Sequence, residues 1–247
     1  VAGRGELQLA VLIESMRREG YELQVSRPEV IIREIDGKPQ EPLERAVVDV
    51  PNDHVGTVTQ AVAPRKGQVT DLRPGDAGRT IVTLTAPARG LLGFRSLLMT
   101  ATRGTALVHQ HHAGWMPWAG ELPHRQGGAM ISDRIGSSTG FALDNLQKRG
   151  ELFIGPNTDV YEGMIVGEAS RPEDMQVNPT KTKQLTNIRT HSTDEAIKLK
   201  PHKDVTLELA IEWISDDELV EVTPHAIRVR KRFLTESERK RRKKRSA

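Results

Sequence analysis

The chain has 247 residues, of which 36% are hydrophobic and 28% charged, and it has no cysteine. That length holds two domains or a little more, the missing cysteines exclude disulfides, Cys-ligated zinc and thiol catalysis, and no run of about 18 apolar residues is present to cross a membrane. The formal net charge of +3 is uneven: residues 228–247 hold 11 of the 36 Lys and Arg but two of the 33 Asp and Glu, so the basic character belongs to the tail and the remainder is net acidic.

The sequence opens at Val1 without a methionine and enters a helical pattern almost at once, so it is expected to be part of a longer protein, with no signal segment. Leu9, Leu12, Ile13 and Met16 recur at helical spacing, and Gly20 is placed to stop the helix. Strand-like runs follow at 21–25 and 29–35, closed by the turn Asp36-Gly37-Lys38-Pro39. Next comes an alternating series. A strand is expected over 43–50, then a helix capped by Asn52 with Val55, Val58 and Val62 on one face. Strands are expected over 68–73 and 79–85, a helix over 88–103 with Leu91, Phe94 and Leu98 inward, and a strand over 105–111. The order β-α-β-β-α-β is the ferredoxin-like split unit.

Beyond about residue 119 short strands are punctuated by Gly127-Gly128 and Gly136-Ser137-Ser138. A short helix is expected over 141–148, strands over 152–154 and 160–166, and then an aperiodic polar stretch over 171–204. Leu207, Ala210, Ile211 and Ile214 restore a helical face, strands close the fold over 219–222 and 226–232, and Thr235-Glu236-Ser237-Glu238 is a capping box that starts the tail as a helix. The predicted class is α+β: a ferredoxin-like domain, then a mostly β domain with short helices and a long basic loop.

Several motifs invite chemistry. PARGLLGFRS at 87–96 resembles a phosphate loop, but two residues separate Gly90 from Gly93 where four are needed, and Phe94-Arg95 stands where Lys-Ser/Thr should be. An ordinary helix start with close packing at Gly93 fits better. His109, His111 and His112 could supply metal ligands, yet no HExxH or carboxylate pair accompanies them. Asp216-Asp217-Glu218 reads as a solvated turn at a helix end, and Trp115 and Trp118 as packing residues at a domain junction. The stretch over 178–204 is different. Lys181, Lys183, Asn187, Arg189, Lys198, Lys200 and Lys203 mix cations with amides and hydroxyls, a donor set suited to phosphate and sugar contacts. The seven consecutive basic residues over 239–245, beginning Arg239, Lys240, Arg241, Arg242, favour polyanions through counterion release.

The segments GRGELQLAVLIESMRREGYEL, PARGLLGFRSLLMTATRGT, NLQKRGELFIGPNTDVYEGMIVGE, VNPTKTKQLTNIR and DDELVEVTPHAIRVRKR, in this order, resemble the C-terminal part of the TypA/BipA family of translational GTPases. The first two have weaker relatives in elongation factor G. The resemblance implies that 1–40 is the end of the family's domain III, 41–118 its domain V and 119–247 its own C-terminal domain, with a basic tail over 235–247. It implies no catalytic, cofactor or metal residue in this chain, GTP and Mg2+ being used by an N-terminal domain outside it. The implied partner is the ribosome, through large-subunit rRNA and the A-site tRNA region, with no membrane and no small-molecule substrate. The implied setting is cytoplasmic, in ribosome assembly and stress adaptation. The implied contacts are the loop residues Lys181, Lys183, Asn187 and Arg189. The run His109-Gln110-His111-His112 departs from the aromatic and acidic residues usual there. A stand-alone RNA-binding protein is the alternative reading of the same cations.

Overall fold

The computed structural model describes residues 1–3, 5–122, 125, 127–183 and 198–246. Among them the elements run α1 (Glu6–Arg18), β1 (Leu23–Val25), β2 (Arg33–Ile35), β3 (Lys38–Pro51), α2 (Val55–Val62), β4 (Gln68–Pro74), β5 (Arg79–Pro87), α3 (Phe94–Ala101) and β6 (Leu107–Pro117). They continue with β7 (Ala129–Ser132), β8 (Gly136–Ser137), α4 (Gly140–Leu146), β9 (Gly150–Leu152), β10 (Asp159–Val160), β11 (Met164–Ala169), β12 (Met175–Val177), α5 (Leu207–Trp213), β13 (Glu218–Val222), β14 (Ile227–Lys231) and α6 (Glu236–Ser246). The chain forms two compact units, one of Pro28–His124 and one of Val1–Arg27 with Arg125–Ala247.

In the unit Pro28–His124 the antiparallel order is β4-β5-β3-β6, with β2 pairing the first residues of β3. This is the ferredoxin-like split unit that the sequence predicts. Alternation along β3 sends Ala46, Val48 and Val50 inward, where they pack with Val58 and Val62 of α2 and Phe94 and Leu98 of α3. Two local expectations change. The single helix over 88–103 is a 3-10 turn at Ala88–Gly90 and a separate α-helix, because Gly93 between them sits at φ 67°, in the left-handed region. Asn52 does not cap α2. It opens a 3-10 turn, its side chain lies 2.8 Å from the Thr80 hydroxyl, and its N–H donates to Gly78 O.

In the other unit one sheet runs β1-β13-β14-β11-β7-β12, with β9 also on β11, and β8 and β10 pair separately. Strand β7, between β11 and β12, is buried on both faces. Ala129 and Ile131 pack with Ala10 and Ile13 of α1 and with Ala210 and Ile211 of α5. Met130, on the other face, packs with Leu143 and Leu146 of α4. The units divide after Arg27 and after His124. The physical reason is pairing: β1 aligns Leu23, Gln24 and Val25 with Val222, Glu221 and Val220 of β13, while β2 makes a hairpin with β3.

Candidate nucleic-acid interface

The basic stretch after β12 leaves the sheet as one stem and returns as another, and both are fastened to α4. Thr139, the N-cap of α4, accepts from Ala142 N–H and donates through its hydroxyl to Lys181 O, and its own N–H donates to Pro179 O. Asn178 Oδ1 accepts from the Thr180 N–H and hydroxyl, both at 3.0 Å, which tightens the turn. At the other end of α4 the Gln147 amide donates to Lys198 O at 3.2 Å and accepts from Lys200 N–H at 2.9 Å. Lys203 N–H then donates to Leu152 O at 2.8 Å. Each stem also has an apolar anchor: Val177 on one side and Leu199 on the other join the core that contains Leu143 and Leu146. A seven-residue helix is about 10 Å long, so α4 acts as a spacer holding the stems at its two ends.

Lys181, Lys183, Lys198 and Lys200 are exposed on these stems. Lys203 is half-buried, with its ammonium 3.8 Å from Glu151. Asn187 and Arg189 lie outside the described residues. Four of the cations read from sequence are thus brought to the two ends of one short helix. Arg239–Arg242 sit on a different element, α6, where Arg239 turns back to donate to Phe233 O at 2.7 Å and Arg242 stacks over the Phe233 ring at 5.0 Å.

The PARGLLGFRS motif serves the fold. Arg89 of PARGLLGFRS makes a two-point ion pair with the buried Glu41, at 2.5 and 3.1 Å, and covers the Trp118 ring at 3.7 Å. Glu41 also accepts from Ala119 N–H at 2.7 Å, so the pair ties down the chain just past β6. A Cβ on Gly90 would stand 2.6 Å from Arg65 O, so that glycine is needed for close packing and not for a phosphate. His109 and His111 lie opposite Val47 and Arg45 on one face of β6, and His112 lies opposite Glu44 on the other. Burial pushes the Glu44 carboxyl up, and His112 and His111 pull it partly back. Among the described residues no group of three or more His, Asp or Glu is placed to hold a metal ion, and no helix is long and apolar enough to cross a membrane.

Sequence reasoning missed a buried charge network. Glu218 is fully buried, with Arg125 at 2.6 and 2.7 Å and Lys231 at 2.8 Å. Lys231, 2% exposed, also meets Asp174 at 2.6 Å and Asp217 at 2.9 Å. The Arg125 guanidinium lies 3.8 Å over the Trp213 ring, whose N–H donates to Glu168 at 2.8 Å. The signal was present only as isolated charges in apolar strands, with partners far apart in sequence.

Two family models match the chain one after the other. Residues 127–236 match the model of the TypA/BipA C-terminal domain, and residues 38–126 match that of the elongation factor G C-terminus. A protein of Escherichia coli (strain K12) named large ribosomal subunit assembly factor BipA is 52% identical over 244 residues, which are 98% of this chain and 40% of that protein. Proteins of the same name from Haemophilus influenzae and Synechocystis sp. are 51% and 47% identical, over 98% and 94% of this chain and 39% of each relative. The chain therefore spans about 40% of the length of the curated relatives it matches.

Proposed function

Because the chain belongs to the TypA/BipA family and matches its C-terminal region along almost all of its length, we propose that it is a ribosome-docking module. Its loop contacts large-subunit rRNA and the A-site tRNA region in the course of ribosome assembly and stress adaptation, in the cytoplasm. The observation that carries this reading is the loop frame: exposed lysines on two stems whose backbones are tied to opposite ends of α4. Cations held on a fixed backbone meet phosphates at a smaller ordering cost than cations on a loose chain. The relatives' name, large ribosomal subunit assembly factor, points to the same partner.

On this reading residues 1–40 are the end of the family's domain III, 41–118 its domain V and 119–247 its C-terminal domain. GTP hydrolysis, with GTP and Mg2+, belongs to the part of the family that the chain does not span. The residues here do not fit a nucleotide: Gly90 packs against Arg65 O, Gly93 turns the backbone, and Arg89 is held by Glu41. No catalytic step is assigned to this chain.

Replacing Lys181, Lys183 and Arg189 together by alanine is expected to weaken binding to purified large ribosomal subunits while circular dichroism stays unchanged. The slope of log affinity against log salt should flatten by about 2. Sedimentation over a salt series reads both quantities, and unchanged affinity in the triple variant would remove the loop from the contact.

A further inference from the structure

The basic tail is a folded arm. Thr235 and Glu238 close a reciprocal capping box, with the Thr235 hydroxyl donating to Glu238 Oε2 at 2.8 Å and accepting from the Glu238 N–H. Arg239 and Arg242, three residues apart and so on one face, turn back onto the Phe233 carbonyl and ring. At about 100° per residue, Lys240, Arg241, Lys244 and Arg245 then fall on the opposite side, within an arc of about 140° and roughly 8 Å of helix axis. All four are exposed. Lys240 pairs at 2.7 Å with Glu236, an exposed contact that exchanges easily for another anion.

We propose that α6 is an arm that binds double-stranded RNA through phosphates, with Lys240, Arg241, Lys244 and Arg245 as its contact face. The proposal rests on the ribosome-docking reading for the source of the RNA, and on α6 alone for the chemistry. Like charges three and four residues apart repel along this helix, so a polyanion relieves a strain already present in it. Single strands are gripped largely by stacking bases on aromatic rings, but residues 234–247 carry no aromatic side chain and Phe233 lies under Arg242. Duplex RNA keeps its bases stacked inside and presents phosphates. A lipid surface requires an apolar helix face, and the residues of α6 are all charged or serine.

The test uses the whole chain with two probes, a 20-base-pair RNA duplex and a uridine oligomer with the same number of phosphates. Glutamine keeps the helix propensity of the residues it replaces. The variant Lys240→Gln, Arg241→Gln, Lys244→Gln, Arg245→Gln should lose about tenfold or more in duplex affinity near 0.1 M salt and flatten the duplex salt slope by about 2 to 4. Its affinity for the single strand should fall less than about threefold. A second variant, Thr235→Val with Glu238→Gln, removes the cap while making the tail one charge more positive. It should also weaken duplex binding. Equal losses on both probes, an unchanged duplex affinity in the first variant, or a gain in the second would each overturn the arm. Should the chain fail to sediment with ribosomes while the duplex results hold, the docking reading falls and the arm stands.

Discussion

Lys231 and Glu218 show at the residue scale how an acidic body holds charges in its interior. Each is a desolvated ion whose cost is offset by several partners: three carboxylates around the ammonium, two cations around the carboxylate. Burial pushes the Glu218 and Asp174 carboxyls up, but hydrogen bonds and charges from Arg125 and Lys231 prevail and hold both below their ordinary values. Burial likewise pulls the Lys231 ammonium down, and its carboxylates raise it on balance. Carboxylates held low stabilise the fold above about pH 4 and lose that contribution as pH falls through their folded values. An ammonium held high stabilises it below about pH 10 and loses that contribution as pH rises through its folded value. Glu218→Gln leaves Lys231 and Arg125 short of an anion and is expected to cost about 3 to 5 kcal/mol. Chemical denaturation should show that loss at pH 7, and it should shrink as the wild-type protein is acidified below pH 4. The sequence reading of Asp216-Asp217-Glu218 as a solvated turn holds for Asp216, whose side chain is 86% exposed, and fails for Glu218. Nothing local distinguishes the two. Only Arg125 and Lys231, brought in by the sheet, make the difference.

Among the elements, α4 carries the most for its length. A short helix was legible there, over 141–148, and it runs over 140–146. Its use as a spacer was not, because its partners Lys181 and Lys198 lie 42 and 51 residues from Thr139 and Gln147. The break between the 3-10 turn and α3 was hidden for a different reason. Leu91, Phe94 and Leu98 keep helical spacing across it, and periodicity reports which side chains are buried, not whether the backbone between them is helical. The spacer can be tested at single amides. Gln147→Ala should remove hydrogen-exchange protection from the Lys200 N–H while leaving that of Lys203, which donates to Leu152 O. Thr139→Val should cost about 1 kcal/mol as a lost N-cap and release the first stem, with faster proteolysis at 181–183. Equal protection of both amides in wild type and Gln147→Ala would show that the second stem does not depend on α4.

For the whole molecule, the ferredoxin-like unit was legible because each of its elements has a regular period and lies near its partners in sequence. In the other unit the mostly β class was legible but the extent was not, because Val1–Arg27 completes a sheet whose remaining strands begin after Arg125. Pro28–His124 has its own core from Ala46 to Ala106. Expressed alone, it is expected to unfold in one cooperative transition; a gradual, non-cooperative melt would show that it needs the rest of the chain. The interruption of one unit by the other also sets an order of events during synthesis. Strand β1 is made before the inserted unit and its partner β13 after it. By then the inserted unit has every strand it needs, and its closure pairs Gln40 with Pro117. That pairing shortens the effective loop between α1 and β7 from roughly a hundred residues to a few tens, which lowers the closure cost by roughly 1 kcal/mol. The middle of the chain is therefore expected to fold first, and its folding shortens the loop that separates the two ends of the interrupted sheet.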